Sequence, residues 1–225
     1  MKRTLITLTP GQSSHCDFVP LLLEYLPAER IAHCGLLDGL TQSEIQQQYG
    51  AVDSENVLCV TLSDGNPLRL SAASIARDLQ QRINQLEEEG VEIILLLNSE
   101  KIGGLSSRTS ILLDPDRIVP PLVKAIVDNH QVGILLPKDD LAYRDAGKWK
   151  HLTHPPCYAV ASPESSGQDL LIDAAISLQE QGADVVLLDS TGYQRRHRDF
   201  LQRLLGIPVL LPNMLVVKLA AELLL

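Results

Sequence analysis

The sequence predicts an α/β protein built from two pseudo-symmetric, Rossmann-like halves, each with a parallel sheet, and with a cleft between them. Short apolar segments alternate with longer amphipathic ones, which is typical of repeated strand–helix–strand units. Residues 90–99 also align without a gap on residues 182–191, and each copy follows a helix rich in Glu and Gln. Chance similarity between two such units would give the same match, but we favour two related halves.

The individual elements follow from the apolar pattern. Continuous apolar runs bounded by polar residues predict buried strands, and apolar residues every three or four positions predict helices, the longest of which ends at Gly90. The predicted strands are Thr4–Thr9, Ile31–Leu36, Val57–Leu62, Glu92–Leu97, Gln131–Leu136, Asp184–Leu188 and Val209–Leu211. The predicted helices are Asp17–Leu26, Ala72–Glu89, Arg117–Asn129, Leu170–Gln181, Gln194–Leu205 and Asn213–Leu224.

The boundary between the halves is expected at Asp114-Pro115-Asp116, because proline and aspartate suit a connection followed by a helix start. The chain is expected to return to the first half within Leu201–Pro208. The first domain is therefore predicted at 1–113 plus 207–225, and the second at 114–206. The apolar stretch Asn213–Leu225 either packs into the core or forms a subunit interface, which leaves a homodimer open.

Composition and charge narrow the classes of function. The chain has 225 residues, of which 19 are basic and 28 acidic, so its net charge is −9. Such an acidic protein repels phosphate backbones and anionic membrane surfaces, and no apolar run reaches the ~20 residues of a membrane span. We therefore expect no nucleic-acid or membrane partner. Four widely spaced cysteines, and an N-terminus too short and polar for a secretory signal, predict a cytoplasmic protein with free thiols.

Candidate binding residues follow the predicted strands, since α/β sheets bind ligands beyond the carboxyl ends of their strands. Small polar side chains and exposed backbone N–H groups at these points can hold a carboxylate. The alternative is that the same residues only cap the helices that follow. The predicted binding residues are Gly11, Gln12, Ser13, Asn98, Ser99, Ser190, Thr191 and Gly192.

The segment Gln194–Asp199, which contains three arginines and a histidine, comes shortly after the second repeat copy. Cations at a helix N-terminus oppose the helix dipole unless an anion neutralises them. An acidic ligand would do so, and so would acidic side chains of the protein; a solvated helix face is the alternative. His197 is the candidate proton carrier because its charge changes near neutral pH. Tyr193 and Ser190 complete the predicted catalytic set.

No metal ion or cofactor is predicted. His151, His154 and Cys157 have a suggestive spacing, but two prolines separate them and no fourth ligand is evident. Cys16 lies near a predicted helix start, where a thiol pKa is lowered. A packing role for this small residue is the alternative.

Several motifs distributed over the whole chain resemble one family. They are Thr9–Ser13, Leu37–Leu40, Leu96–Ser99, Lys148-Trp149, Gly182–Tyr193, Arg196–Arg198, Gly206–Leu211 and Leu219–Leu224. Together they resemble the AroM family, a relative of the aspartate/glutamate/hydantoin racemase superfamily. The resemblance implies two pseudo-symmetric α/β domains with an acidic substrate between them. It also implies two facing cysteines that move an α-proton without a metal or pyridoxal phosphate.

The two cysteine positions of that superfamily correspond to Asn98 and Ser190, and neither side chain can act as a thiol base. The resemblance therefore implies a cofactor-independent, racemase-like isomerase that acts on a small carboxylic or amino acid by another route. The alternative is a non-catalytic sensor on the same scaffold. In both cases the expected partner is a small metabolite that carries a carboxylate.

Overall fold

The computed structural model describes most of the chain, and all structural statements below refer to that part. The described residues are 4–13, 19–52, 56–98, 102–137, 147–163, 168–190 and 192–224. Contacts divide the chain into unit 1, Met1–Asp114 with Leu219–Leu225, and unit 2, Pro115–Lys218. Within the described residues, no helix has both the length and the apolar character needed to cross a membrane.

Unit 1 is built around a four-stranded parallel sheet. The strands of unit 1, which include the four strands of this sheet, are β1 (Leu5–Thr9), β2 (Ile31–Gly35), β3 (Val57–Thr61), β4 (Pro67–Ser71), β5 (Ile93–Leu96) and β6 (Ile111–Leu113). Its helices are α1 (Val19–Leu23), α2 (Gln42–Tyr49) and α3 (Ala72–Glu88), with a 3-10 turn at Ala28–Arg30. The sheet has the order β2-β1-β5-β6. Every residue of β5 is buried, which explains its uninterrupted apolar sequence.

The strands β3 and β4 lie outside that sheet and form an antiparallel hairpin. The turn between them contains Gly65, whose φ of +85° suits glycine. Burial alternates along β3, because one face of the hairpin packs on the core and the other faces water. The apolar pattern predicts β3 but not β4, and it also fails to predict α2 and β6.

Unit 2 contains a second four-stranded parallel sheet. Its strands are β7 (Val132–Leu136), β8 (Cys157–Val160), β9 (Val185–Leu188) and β10 (Val209–Leu210). Its helices are α4 (Pro115–Val127), α5 (Gln168–Glu180) and α6 (Arg195–Leu205). The helix α7 (Pro212–Leu224) begins in unit 2, and its residues from Leu219 onwards belong to unit 1. The order is β10-β9-β7-β8. Because β10 pairs with β9, residues 209–210 belong to this sheet. The sequence places the return to the first domain at 207, whereas the contacts place it at Leu219.

The repeated sequence has the same local structure in both units. The helices α3 and α5 each end in a turn whose glycine, Gly90 or Gly182, has a φ of +81° or +92°. The strands β5 and β9 each begin three residues later. The residue after each strand, Leu97 or Asp189, then donates its N–H to the neighbouring strand β1 or β7, at 2.8 and 3.0 Å. The predicted α/β class with two parallel sheets is therefore confirmed.

Candidate functional site

The loop after β1, one of the predicted binding segments, is held in place by Asp38. The two carboxylate oxygens of Asp38 accept the backbone N–H groups of Ser13 and Gly35, each at 2.7 Å. A β-carbon at Gly35 would lie 2.5 Å from the nitrogen of Ser13 and 2.7 Å from the carbonyl oxygen of Gly11, so only glycine fits there. The segment Leu37–Leu40 therefore serves first to shape this loop.

Two predicted binding residues of the same loop already have partners within unit 1. The side-chain Oε1 of Gln12 accepts the backbone N–H of Ser63 at 2.9 Å. The carbonyl of Gly11 accepts the backbone N–H of Leu37 at 3.1 Å. A ligand-binding role for this loop stays a prediction, and Cys16 lies outside the described residues.

The repeated strands β5 and β9 lead to equivalent polar residues. Asn98 and Ser190 each lie two residues beyond their strand, and each is partly buried. The hydroxyl oxygen of Ser190 accepts the backbone N–H of Gly192 at 3.3 Å, and its carbonyl accepts the side-chain amide of Asn213 at 3.1 Å. These bonds fix a tight turn at the carboxyl end of β9. Two more predicted binding residues lie outside the described part of the chain, Ser99 and Thr191.

Sequence reasoning missed Asp189, the residue that precedes Ser190. Its residue exposure is 8%, and it is the one buried charged residue in the described part of the chain. Its Oδ2 accepts the indole N–H of Trp149 at 2.5 Å, and its Oδ1 accepts the ammonium of Lys148 at 2.9 Å. A buried carboxylate is tolerated when it is paired and hydrogen-bonded in this way. The signal that could have identified Asp189 is the sequence repeat, because it aligns this charged residue with an apolar residue, Leu97.

Lys148 links Asp189 to the start of α4. Its ammonium lies 3.8 Å from the carboxylate of Asp116 and 5.3 Å from the ring centre of Trp149. The side chains of Lys148 and Asp116 are 25% and 22% exposed, whereas that of Asp189 is 5% exposed. A buried and a half-buried carboxylate therefore share one cation at the carboxyl end of β9.

Tyr193, a predicted catalytic residue, is buried within unit 2. Its hydroxyl donates to the carbonyl of Ala161 and lies 3.5 Å from the carbonyl of Leu136. Burial, and then the nearby carboxylate of Asp189, raise the pKa of Tyr193 above the ordinary tyrosine value. These contacts tie the turn after β9 to the sheet.

His197, the predicted proton carrier, lies in the first turn of α6 and is partly buried. Its Nδ1 accepts the backbone N–H of Gln194 at 3.0 Å, so the ring caps the helix. The ring also packs edge-on against Tyr193, with 5.9 Å between ring centres. Burial, and then the guanidinium of Arg196, lower the pKa of His197 below 6.5. The Nε of Arg196 lies 3.3 Å from the other ring nitrogen, Nε2.

The cations around His197 are partly neutralised by the protein itself. The guanidinium of Arg198 donates to the carboxylate of Asp199 at 2.8 Å, and that of Arg195 lies 3.6 Å from the same carboxylate. Neutralisation by an acidic side chain of the protein is one of the alternatives that the sequence leaves open. Asp199 neutralises Arg195 and Arg198 in this way.

None of the described cysteines lies at the carboxyl end of β5 or β9. Cys34, Cys59 and Cys157 belong to β2, β3 and β8. Cys34 lines a cavity of about 530 Å³ beside β2, where the Nε of Arg82 donates to its sulfur at 3.2 Å. Within the described residues, no group of three or more His, Cys, Asp or Glu side chains is arranged to hold a metal ion.

Comparison with known proteins identifies the family. The sequence profile described as AroM protein matches residues 5–224, nearly the whole chain. The chain belongs to the AroM family. This confirms the resemblance seen in the short motifs. A search of the curated proteins gives no match.

Solved structures of racemases and of a decarboxylase share the fold of this AroM protein. Allantoin racemase from Pseudomonas fluorescens matches with a TM-score of 0.56 and 12% identity, over 98% of this chain and 90% of that one. Unliganded arylmalonate decarboxylase matches with a TM-score of 0.58 and 14% identity, over 99% and 92%. Glutamate racemase from Francisella tularensis, in complex with D-glutamate, matches with a TM-score of 0.56 and 14% identity, over 99% and 81%. At these identities the likeness establishes the fold.

Proposed function

We propose that this AroM protein is a cofactor-independent, racemase-like isomerase that acts on a small carboxylic or amino acid. The fold carries the proposal, because it is shared over almost the whole chain with an allantoin racemase and with a glutamate racemase bound to D-glutamate. Fold alone does not fix function. The proposal therefore also needs a site that can hold a carboxylate and move a proton.

The turn after β9 supplies the carboxylate-binding groups of the proposed site. Ser190 offers a hydroxyl, and the helix α6, whose first N–H groups attract anions, begins shortly after it in the sequence. The side-chain amide of Asn213, in the first turn of α7, donates to the carbonyl of Ser190 at 3.1 Å. Hydrogen-bond donors that are held in place by the fold also stabilise the negative charge that develops when a proton leaves the carbon beside a carboxylate. We assign Ser190 and Gly192 to this role.

The proton must move by a route other than a pair of thiols. None of the described cysteines lies at the end of β5 or β9. Tyr193 is unsuited to carry the proton, because its pKa is raised and its hydroxyl donates to the carbonyl of Ala161. His197, whose pKa is lowered by burial and then by the guanidinium of Arg196, is the proposed carrier.

A non-catalytic, acid-binding sensor is the second candidate. The observation that favours it is that the Nδ1 of His197 and the hydroxyl of Tyr193 are both held in structural hydrogen bonds. Under this proposal the turn after β9 binds an acid without exchanging its proton.

Proton exchange in deuterated solvent separates the two candidates. The purified protein is incubated with D- and L-glutamate, D- and L-aspartate, allantoin and phenylmalonate, and proton NMR follows loss of the α-proton or of a carboxylate. We expect exchange with at least one compound, and about a 100-fold loss in Ser190→Ala, the usual effect of removing one such donor. Ser177→Ala, in α5 of the same unit, is the matched control.

The outcomes of this experiment differ for each candidate. Binding by thermal shift without exchange supports the sensor and overturns the enzyme. Absence of both binding and exchange overturns both candidates. Equal losses in Ser190→Ala and Ser177→Ala would show that Ser190 has no special role.

A further inference from the structure

A cavity of about 530 Å³ lies in unit 1, between the edge strand β2 and the helix α3. None of the residues that line it belongs to the site predicted from sequence or to the turn after β9. Its volume falls within the range of about 300–1,000 Å³ that is typical of sites for small molecules. The cavity therefore has room for a ligand of its own.

Small side chains on β2 leave this space open. Alternate residues of a strand point to the same face, so Ala32 shares a face with Cys34, whose sulfur contacts Arg82 of α3. Neither Ala32 nor Cys34 has a large side chain. The space between this edge strand and the helix is therefore not filled.

Much of the cavity wall is apolar. Ile6, Leu36 and Leu86 contribute to it, together with Ala32. Leu86 is buried, whereas Ile6 and Leu36 are partly exposed and Ala32 is exposed, so apolar surface here remains in contact with water. Because covering such surface is favourable, the wall suits a ligand with an apolar part.

Arg82 supplies the positive charge of the cavity. Its Nε donates to the sulfur of Cys34 at 3.2 Å, and its Nη1 donates to the side chains of Gln85 and Glu89 at 3.2 and 3.3 Å. Its other terminal nitrogen, Nη2, has no acceptor within the described part of the chain. The side chain is 33% exposed. A guanidinium has five N–H donors, so Nη2 can donate to an anionic group of a ligand.

Nearby carboxylates limit the charge of that ligand. Asp38 lines the cavity, with its carboxylate held by two backbone N–H groups, and Glu89 is bound to the Nη1 of Arg82. Both would repel a second anionic group. His33 also lines the cavity, and its Nδ1 is hydrogen-bonded to the hydroxyl of Thr7 at 2.7 Å. One anionic group on an uncharged, apolar body therefore fits these surroundings.

We propose that this cavity binds a small alkyl carboxylate, with the carboxylate on the Nη2 of Arg82 and the alkyl chain against Ile6, Leu36 and Leu86. The inference goes beyond the proposed function and does not depend on it, because every residue named belongs to unit 1.

The thiol of Cys34 reports whether the cavity is occupied. The purified protein is treated with N-ethylmaleimide, an uncharged thiol reagent, and peptide mass spectrometry gives the labelling rate of each cysteine. We expect octanoate to slow the labelling of Cys34 by about fivefold or more, because the alkyl chain covers it, and to leave the exposed Cys59 unchanged. Hexanoate, which is two methylene groups shorter, should require a concentration about tenfold higher.

Two further compounds test the predicted charge of the ligand. Octanamide has the same alkyl chain and no charge, and suberate has a second carboxylate at the far end of the chain. We expect each of them to protect Cys34 only at a concentration about tenfold higher than octanoate, because one lacks the charge that Arg82 binds and the other is repelled by Asp38 and Glu89.

Variants assign this protection to individual residues. Arg82→Gln should remove the advantage of octanoate over octanamide. Arg77→Gln is the matched control, because Arg77 lies in the same helix and pairs with Asp78 at 2.7 Å. Ala32→Leu, which fills the cavity from an exposed position, should abolish protection by either compound. Each variant is compared with its own labelling rate without ligand, and circular dichroism verifies its fold.

The outcomes that contradict the inference are distinct from those that concern the proposed function. Unchanged labelling of Cys34 in octanoate would overturn the inference, and so would equal protection by octanamide or protection that survives in Arg82→Gln. Protection that is retained in Ser190→Ala supports a separate site in unit 1, whereas its loss there would overturn the inference. A failure of the proton-exchange experiment would leave this result unaffected.

Discussion

The parallel sheets of units 1 and 2 have equivalent strand orders, and the two units differ at the position where the repeated strand ends. Leu97 and Asp189 occupy equivalent places, donate equivalent backbone hydrogen bonds and have the same residue exposure of 8%. One side chain is apolar and the other is charged. An apolar residue suits such a buried position without any partner, whereas a carboxylate requires partners.

Burial of the Asp189 carboxylate is energetically unfavourable without partners, so this position marks a difference between the two units. A buried ion pair contributes little net stability compared with an apolar residue of similar size. Unit 2 nevertheless provides Trp149 and Lys148 to satisfy Asp189, from a segment 40 residues away in the chain. We infer that Asp189 serves to position Lys148, and that unit 1 has no counterpart of this arrangement among its described residues.

Asp189→Leu, which places the residue of unit 1 in unit 2, should have the largest effect on stability. The substitution removes the carboxylate that accepts both the ammonium of Lys148 and the indole N–H of Trp149. We expect the free energy of unfolding to fall by about 3 kcal/mol, near the lower end for breaking a buried charge pair, since Lys148 is partly exposed. Urea unfolding followed by Trp149 fluorescence measures this loss.

The double variant Asp189→Leu with Lys148→Met sharpens the comparison. Because both charges are then absent, we expect at least half of the lost stability to return. Equal losses in the single and double variants would assign the effect to packing. A stable single variant would contradict the assigned role of Asp189.

A second difference between the units lies in the strand beside the central one. Gly35 pairs with Thr9 at the end of β2, and Val160 pairs with Leu136 at the end of β8. In unit 1 the following segment folds back so that Asp38 lies against this position. The position is therefore occupied by a valine, Val160, in unit 2, whereas a side chain at Gly35 in unit 1 would clash with the backbone of Ser13.

Gly35→Ala tests this second difference and should have the next largest effect. The new β-carbon would lie 2.5 Å from the nitrogen of Ser13, a backbone atom that cannot rotate away. We expect a loss of about 2 kcal/mol, typical of overpacking, measured by urea unfolding. Val160→Ala, a change at an exposed position, is the control and should cost well under half as much. Equal effects would contradict the constraint assigned to Asp38.

The sequence predicts the elements that have a strong local pattern. The helix α3 has buried residues at every turn and the strands β5 and β9 are wholly apolar, so their predicted ends agree with the structure to about one residue. The strand β8 follows two prolines and β6 has three residues, which leaves too little pattern to recognise. The hairpin strand β4 begins with a proline and is half exposed.

The site is harder to predict because its contacts are distant in sequence. The repeat points to Ser190 and Asn98, since both follow an apolar strand. It does not reveal that Asp189 is buried against Trp149, because no local pattern links residues 40 positions apart. The helix-capping role of His197 is a local contact, but a histidine in a basic cluster is not a typical capping residue.

The smallest expected effect concerns a third pair of equivalent positions, Glu87 in α3 and Gln179 in α5. The carboxylate of Glu87 accepts the backbone N–H groups of Arg108–Ser110, at 2.6, 2.6 and 3.0 Å, just before β6. The side-chain amide of Gln179 instead donates to a carbonyl, that of Leu205 at 3.1 Å, before β10. The same helix position thus anchors the approach to the edge strand in both units, with opposite hydrogen-bonding roles.

Glu87→Gln should therefore reduce stability in a pH-dependent way. Hydrogen bonds from the backbone of Ser110, and then of Thr109, lower the pKa of Glu87 to about 2 from the ordinary 4.5. The carboxylate therefore stabilises the fold fully above pH 4.5, and this contribution is lost as the pH falls towards 2. We expect the difference in urea midpoint between wild type and Glu87→Gln to be full at pH 7 and to shrink below pH 4.5.

Gln179→Glu is the reciprocal change, and it distinguishes an anchoring role from a general effect of charge. A carboxylate there cannot donate to the carbonyl of Leu205, so we expect destabilisation at pH 7 that diminishes in acid, when the new carboxyl group is protonated and can donate. If Glu87→Gln instead gave the same loss at pH 3 as at pH 7, the stabilising contact would not involve the ionised carboxylate. The two variants together would then show that the units use this position for packing alone, and the correspondence between Glu87 and Gln179 would carry no electrostatic meaning.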